Sequence, residues 1–177
     1  MSRATALVAV LAVLMSACGD DPVAVDDYAN DLCTALTGWT EELRDRQTEL
    51  QEGAAPGQSP QADRDALQRF VDGAVAASDG LVEDVEAAGV PDIEDGEAVA
   101  DAFRAAVEQT RTELEQAQAD VTDIPTDSTQ AYRAAVDEFV AEIRGTLEGI
   151  DEQLQDVDAP ELDIALDEAT ACQGQPG

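Results

Sequence analysis

The most reactive side chains in this sequence are three cysteines, and their positions assign them different work. Cys18 follows Leu14-Met15-Ser16-Ala17, whereas Cys33 and Cys172 stand near the two ends of the chain beyond it. There is no histidine and no lysine. The commonest general base, the Schiff-base amine and the imidazole metal ligand are therefore missing, which excludes His-dependent triads, zinc-peptidase motifs and P-loops. The remaining acid–base groups are carboxylates, 40 in number. A glycosidase-type pair would need two of them facing each other beside rings that stack a sugar. The chain has only six aromatic residues and its long apolar stripes contain no acid, so no catalytic residue is assigned and the protein is read as a non-enzyme.

Carboxylates also bind hard cations. The densest group is Asp92, Glu94, Asp95 and Glu97 around Gly96. An EF-hand loop carries acids at positions one, three and five before a glycine at six; counting back from Gly96 gives Pro91, Ile93 and Asp95. Two of the three positions fail. The cluster reads as negative charge at a helix N-terminus, where the dipole favours it, and neither metal nor cofactor is expected. Trp39, the only tryptophan, has two readings: an anchor in the core, or the wall of a pocket between helices together with Phe103, Tyr132 and Phe139.

These residues need elements to hold them. Apolar or small side chains recur at three- and four-residue spacing in four segments, the pattern of a helix with one buried stripe. The stripes run from Val25 through Tyr28, Leu32, Leu36, Trp39 and Leu43 to Leu50, and from Leu67 through Phe70, Val71, Ala74, Ser78, Leu81 and Val85 to Ala88. The third runs from Val99 through Phe103, Ala106, Thr110, Leu114, Ala117 and Val121 to Ile124. The fourth joins Tyr132, Val136, Phe139, Ile143, Leu147, Ile150, Leu154 and Val157. Between them, Ser59 before Pro60 predicts an N-cap and first turn, Gly89-Val90-Pro91 a stop, and Asp127 with Gln130 a capping box. Short connections make neighbours antiparallel. The expected fold is all-α, an up-down-up-down four-helix bundle with a short C-terminal tail helix near Glu161 to Ala171.

The N-terminus directs the chain out of the cytoplasm. Arg3, the apolar run Ala4 to Met15 and the small residues before Cys18 form a signal peptide, too short to span a bilayer as a helix. Leu14 to Cys18 resembles a bacterial lipobox, with Met15 where leucine is usual. The reading is a cleaved leader over 1–17, lipidation at Cys18, a tether over 18–22, a helical domain over 23–172 and a tail over 173–177. Two acyl chains would hold the protein on the outer face of the membrane, since two anchor stably where one does so marginally. Ordinary secretion is the alternative.

Two cysteines then remain, and an even pair in an exported protein reads as a disulfide, with two free thiols as the alternative. The topology supports the bridge. The fourth helix returns to the end where the first begins, Cys33 lies roughly 13 Å up the first helix, and a tail helix of about ten residues climbs a similar height. The formal charge of −31 repels nucleic acid and anionic lipid headgroups, so partners must be neutral or cationic. Acidity alone would also fit disorder, but disordered acidic tails lack such regular stripes. Residues 102–108 and 131–137 match at a spacing of 29, either as a duplicated hairpin or as two Ala-rich helices with one packing pattern, and Arg104 and Arg133 occupy equivalent places.

Four segments carry a family likeness: Tyr28-Ala29-Asn30-Asp31-Leu32-Cys33 through Trp39, Ala88-Gly89-Val90-Pro91-Asp92-Ile93-Glu94-Asp95-Gly96, Ala131-Tyr132-Arg133-Ala134, and Pro160-Glu161-Leu162 to Ala171-Cys172-Gln173. Together they resemble a family of small, acidic, actinobacterial lipoproteins and secreted proteins. The resemblance implies export and a helical body and transfers no catalytic or binding residue. The expected function is that of a lipid-anchored, non-catalytic envelope protein acting through contacts with another envelope protein or the wall. The alternative is a carrier of a small ligand or cation in an interhelical pocket.

Overall fold

A computed structural model gives the fold over residues 22–53, 57–155 and 157–173, the side chains of 146–155 excepted. The leader, Cys18 and the tail beyond Gln173 lie outside the described residues. Four long helices follow one another: α1 (Val25–Gly53), α2 (Pro60–Ala87), α3 (Gly96–Asp123) and α4 (Thr129–Gln155). A short α5 (Pro160–Glu168) completes an all-α bundle. Packing joins α1 to α2, α2 to α3 and α3 to α4, and α5 returns to lie on α1.

Local chemistry sets the boundaries. Ser59 is extended and its hydroxyl accepts from the Ala62 amide at 3.3 Å, with Pro60 starting α2 where its missing N–H costs nothing. Gly89 stops α2 by turning left-handed, φ 80°. The start of α4 differs from expectation by one residue. The Ser128 hydroxyl, not the Asp127 carboxylate, accepts from the Ala131 amide at 3.2 Å, so the cap is a hydroxyl. Asp95 occupies the N-cap of α3 in the left-handed region (φ 55°) and makes no side-chain cap bond; its carbonyl takes the Val99 amide at 3.0 Å. The tail helix ends at Glu168, short of Ala171, because Ala169 turns extended, and the chain then bends to carry Cys172 toward α1.

The core divides into two clusters at opposite ends of the long helices. The first joins Tyr28 and Leu32 of α1, Leu81 and Val85 of α2, Val99 of α3, and Leu162 and Ala165 of α5. The second joins Leu67 and Val71 of α2 to Ala117, Val121 and Ile124, with Tyr132, Val136, Phe139 and Ile143 of α4 packed on it. The predicted stripes of α2 and α3 are buried along most of their length. Along α4, by contrast, Tyr132, Val136, Phe139 and Ile143 are half-buried, and Val140 is 45% exposed. Small residues bring the helices close: a Cβ at buried Gly73 would stand 2.8 Å from Cδ of Arg46, whose stem lies across α2 there.

The matching segments 102–108 and 131–137 begin their helices at opposite ends of the bundle. Ala106 and Val107 are buried, their counterparts Ala135 and Val136 only half so. Arg104 pairs with Asp101 at 2.6 Å within its own helix, an exposed contact of small energetic weight.

Candidate functional site

At the end where the chain enters the fold, a bridge and a disulfide tie both ends of the described body to the bundle. Val23 runs beside the loop between α2 and α3 as a single parallel bridge to Pro91. Its amide donates to the Val90 carbonyl at 2.8 Å, and its carbonyl accepts from the Asp92 amide at 2.8 Å. Gly89 sits against the Val23 side chain, where its own Cβ would be 3.6 Å from Val23 Cγ1. The Gly-x-Pro-Asp loop, to which the sequence assigns no chemistry, thus clamps the chain shortly after Cys18. Nothing in the spacing of Val23 announced this, because one bridge leaves no periodic pattern.

A second tie lies beside it. Cys33, fully buried in α1, is disulfide-bonded to Cys172 with a Cα–Cα distance of 5.1 Å. The Thr37 hydroxyl, one turn further along α1, donates to the Ala171 carbonyl at 3.3 Å. Leu162, Ala165 and Ala169 bury themselves against α1 below the bridge. Both termini of the described body are therefore fixed to the same end.

The four aromatic residues that the pocket reading groups together are divided. Trp39 and Phe103 pack on the first cluster, Tyr132 and Phe139 on the second. Phe103 stands 18 residues before Val121 on α3, roughly 27 Å along the axis, so the two pairs lie at different levels. Trp39 behaves as an anchor: its indole N–H donates to the Ser78 hydroxyl at 3.1 Å, which satisfies a fully buried serine within the apolar stripe of α2. A serine at that place in the stripe was the available signal for a polar partner across the helix pair. No comparable sign marked Arg64, whose guanidinium on α2 donates to the Thr122 and Ile124 carbonyls at 3.2 and 3.3 Å and so closes the end of α3. Arg111 of α3 similarly reaches Asp79 of α2, and pairs with Glu115 at 2.8 Å.

Among the described residues the acids are exposed or half-buried, and one carboxylate oxygen of half-buried Asp63 is shielded from solvent without a hydrogen-bond partner. Among the described residues the buried polar side chains are Ser78 and Thr110, with no carboxylate among them. Glu94 and Asp95 line a cleft of about 520 Å³ opposite Asp158 and Glu161 at the start of α5. Among the described residues, however, no three acids or cysteines converge as a metal-ligand group. No described helix is long and apolar enough to cross a membrane.

Tyr28 is the most deeply buried ring, and its hydroxyl has no hydrogen-bond partner among the described residues. Burial pushes its phenol above the ordinary value of 10.0, with the Arg104 charge pulling the other way. The unfolded chain thus loses this proton first as pH rises. Stability from the neutral phenol is fully present below pH 10 and declines above it. Tyr28→Phe is expected to raise stability by about 1 kcal/mol at neutral pH, since it removes an unpaired buried hydroxyl. It should also flatten the alkaline decline, leaving the part due to Tyr132, which is raised by burial and by Asp63. Urea midpoints of both proteins between neutral pH and pH 11 test this, and a destabilised phenylalanine variant would refute it.

No protein-family model, curated protein or solved structure matches the chain.

Proposed function

We propose that this chain is a lipid-anchored, non-catalytic protein of the cell envelope, akin to the small acidic actinobacterial lipoproteins, held by acyl chains on Cys18 and acting through contacts with a protein partner or the wall. The observation that carries the reading is the Cys33–Cys172 disulfide, a bond that persists in oxidising compartments, in a chain whose leader ends at a lipobox-like cysteine. The clamp at Val23 supports it, because a tether needs a firm attachment where it meets the body it carries. Absence of histidine and lysine favours a role through surfaces over one through catalysis.

The test is expression in an actinobacterial host followed by partition into a detergent that separates from water on warming. The native protein is expected in the detergent phase, with an intact mass above that of the polypeptide beginning at Cys18. Cys18→Ser is expected in the aqueous phase. Equal partition of the two proteins, with no added mass on the native one, would reject the anchor.

A further inference from the structure

A groove of about 200 Å³ runs between the C-terminal end of α3 and the first half of α4. Its floor is apolar, made by Ile124, Pro125, Ala135 and Phe139. Its rim is wholly acidic: Asp120 and Asp123 on α3, Glu138 and Glu142 on α4. Among the described residues none of these four joins an ion pair; Arg46, Arg104 and Arg111 engage other acids. Asp120 and Asp123 are three residues apart, and Glu138 and Glu142 four, spacings that set like charges side by side and weaken a helix. The groove also lies along α4, the long helix whose described stripe is only half-buried.

We propose that this groove docks a cationic amphipathic segment of a partner protein, a helix whose large apolar side chains sit over Phe139 and whose lysines or arginines meet the four rim acids. An apolar anchor inside a ring of opposite charge is the complementarity such a segment recognises. A second copy of this chain is a poor occupant, because it brings a net charge of −31 and no lysine. The inference deepens the reading of the protein as one that acts through partner contacts, and it stands independently of the lipid.

The probe is a labelled amphipathic peptide of leucine and lysine, about 18 residues or five helical turns long, titrated by fluorescence anisotropy at about 0.15 M salt. The protein is the purified, exported full chain. A groove variant carries Asp120→Asn, Asp123→Asn, Glu138→Gln and Glu142→Gln. A control loses the same charge at other exposed sites through Asp31→Asn, Asp45→Asn, Glu83→Gln and Glu86→Gln. The groove variant is expected to bind about tenfold more weakly than the native protein, with the control within about threefold. Phe139→Ser should weaken the leucine–lysine peptide similarly and leave binding of oligolysine unchanged. Similar losses in groove variant and control would assign the binding to diffuse attraction by a polyanion and overturn the proposal. Undiminished binding by the groove variant would overturn it equally. The partition experiment reads the anchor alone, so failure of either result leaves the other interpretable.

Discussion

Reduction of the Cys33–Cys172 disulfide is expected to lower the unfolding free energy by about 5 kcal/mol, the chain-entropy value for a cross-link between residues 139 apart. Domains of ordinary stability hold about 5–15 kcal/mol, so this one bond accounts for a large share. At roughly 2–4 °C per kcal/mol for a chain of this size, the melting temperature should fall by about 10–20 °C. The loss should begin at α5. That helix is nine residues long, too short to persist in isolation, and is held on α1 by Leu162, Ala165 and Ala169 beside the bridge. Urea unfolding followed by circular dichroism, with and without reductant, measures the effect. The doubly substituted Cys33→Ala, Cys172→Ala protein should match the reduced native chain and ignore reductant. An unchanged midpoint on reduction would show that core burial alone holds the two termini together.

That bridge was legible in the sequence because cysteine counting and helix length pointed to one answer. Cys33 lies two turns into α1, and the tail helix climbs far enough to meet it. The stripes of α2 and α3 were equally plain, since Leu67, Val71, Leu81, Val99, Ala106 and Val121 follow helical spacing and each is buried. The level at which each ring packs was harder to see. A stripe names the face of a helix, whereas the height along it depends on how hairpins register, and that separates Trp39 and Phe103 from Tyr132 and Phe139. The cap of α4 turned on one position: Asp127 and Ser128 are both strong capping residues, and α4 begins at Thr129, directly after Ser128, whose hydroxyl takes the Ala131 amide. The Val23 clamp and the Arg64 contacts are each a pair of long-range hydrogen bonds, which composition and periodicity do not encode.

Gly96→Ala should destabilise the protein by about 3 kcal/mol, although alanine is the better helix former by about 1 kcal/mol. The sign is decided by space. A Cβ on Gly96 would fall on the Pro91 carbonyl oxygen, a backbone atom that cannot rotate aside as a side chain would. That carbonyl already accepts the Ile93 amide at 2.9 Å, and its neighbours Val90 and Asp92 hold Val23 on either side. Shifting the carbonyl therefore disturbs the turn and the clamp together, and hydrogen exchange at the Val23 and Asp92 amides should accelerate more than at the second core cluster. Gly80→Ala is the matched control. Gly80 is exposed within α2, and a methyl group there would have no atom within 4 Å, so the same substitution should stabilise by about 0.5–1 kcal/mol. Urea midpoints moving in opposite directions are the expected result. A Gly96→Ala protein as stable as Gly80→Ala would mean that the loop yields freely and that Val23 is held by something other than its geometry. The glycine that ends the Gly-x-Pro-Asp…Gly turn thus has a physical reason to be there: it lets the start of α3 close against Pro91, and that closure holds the entry of the chain.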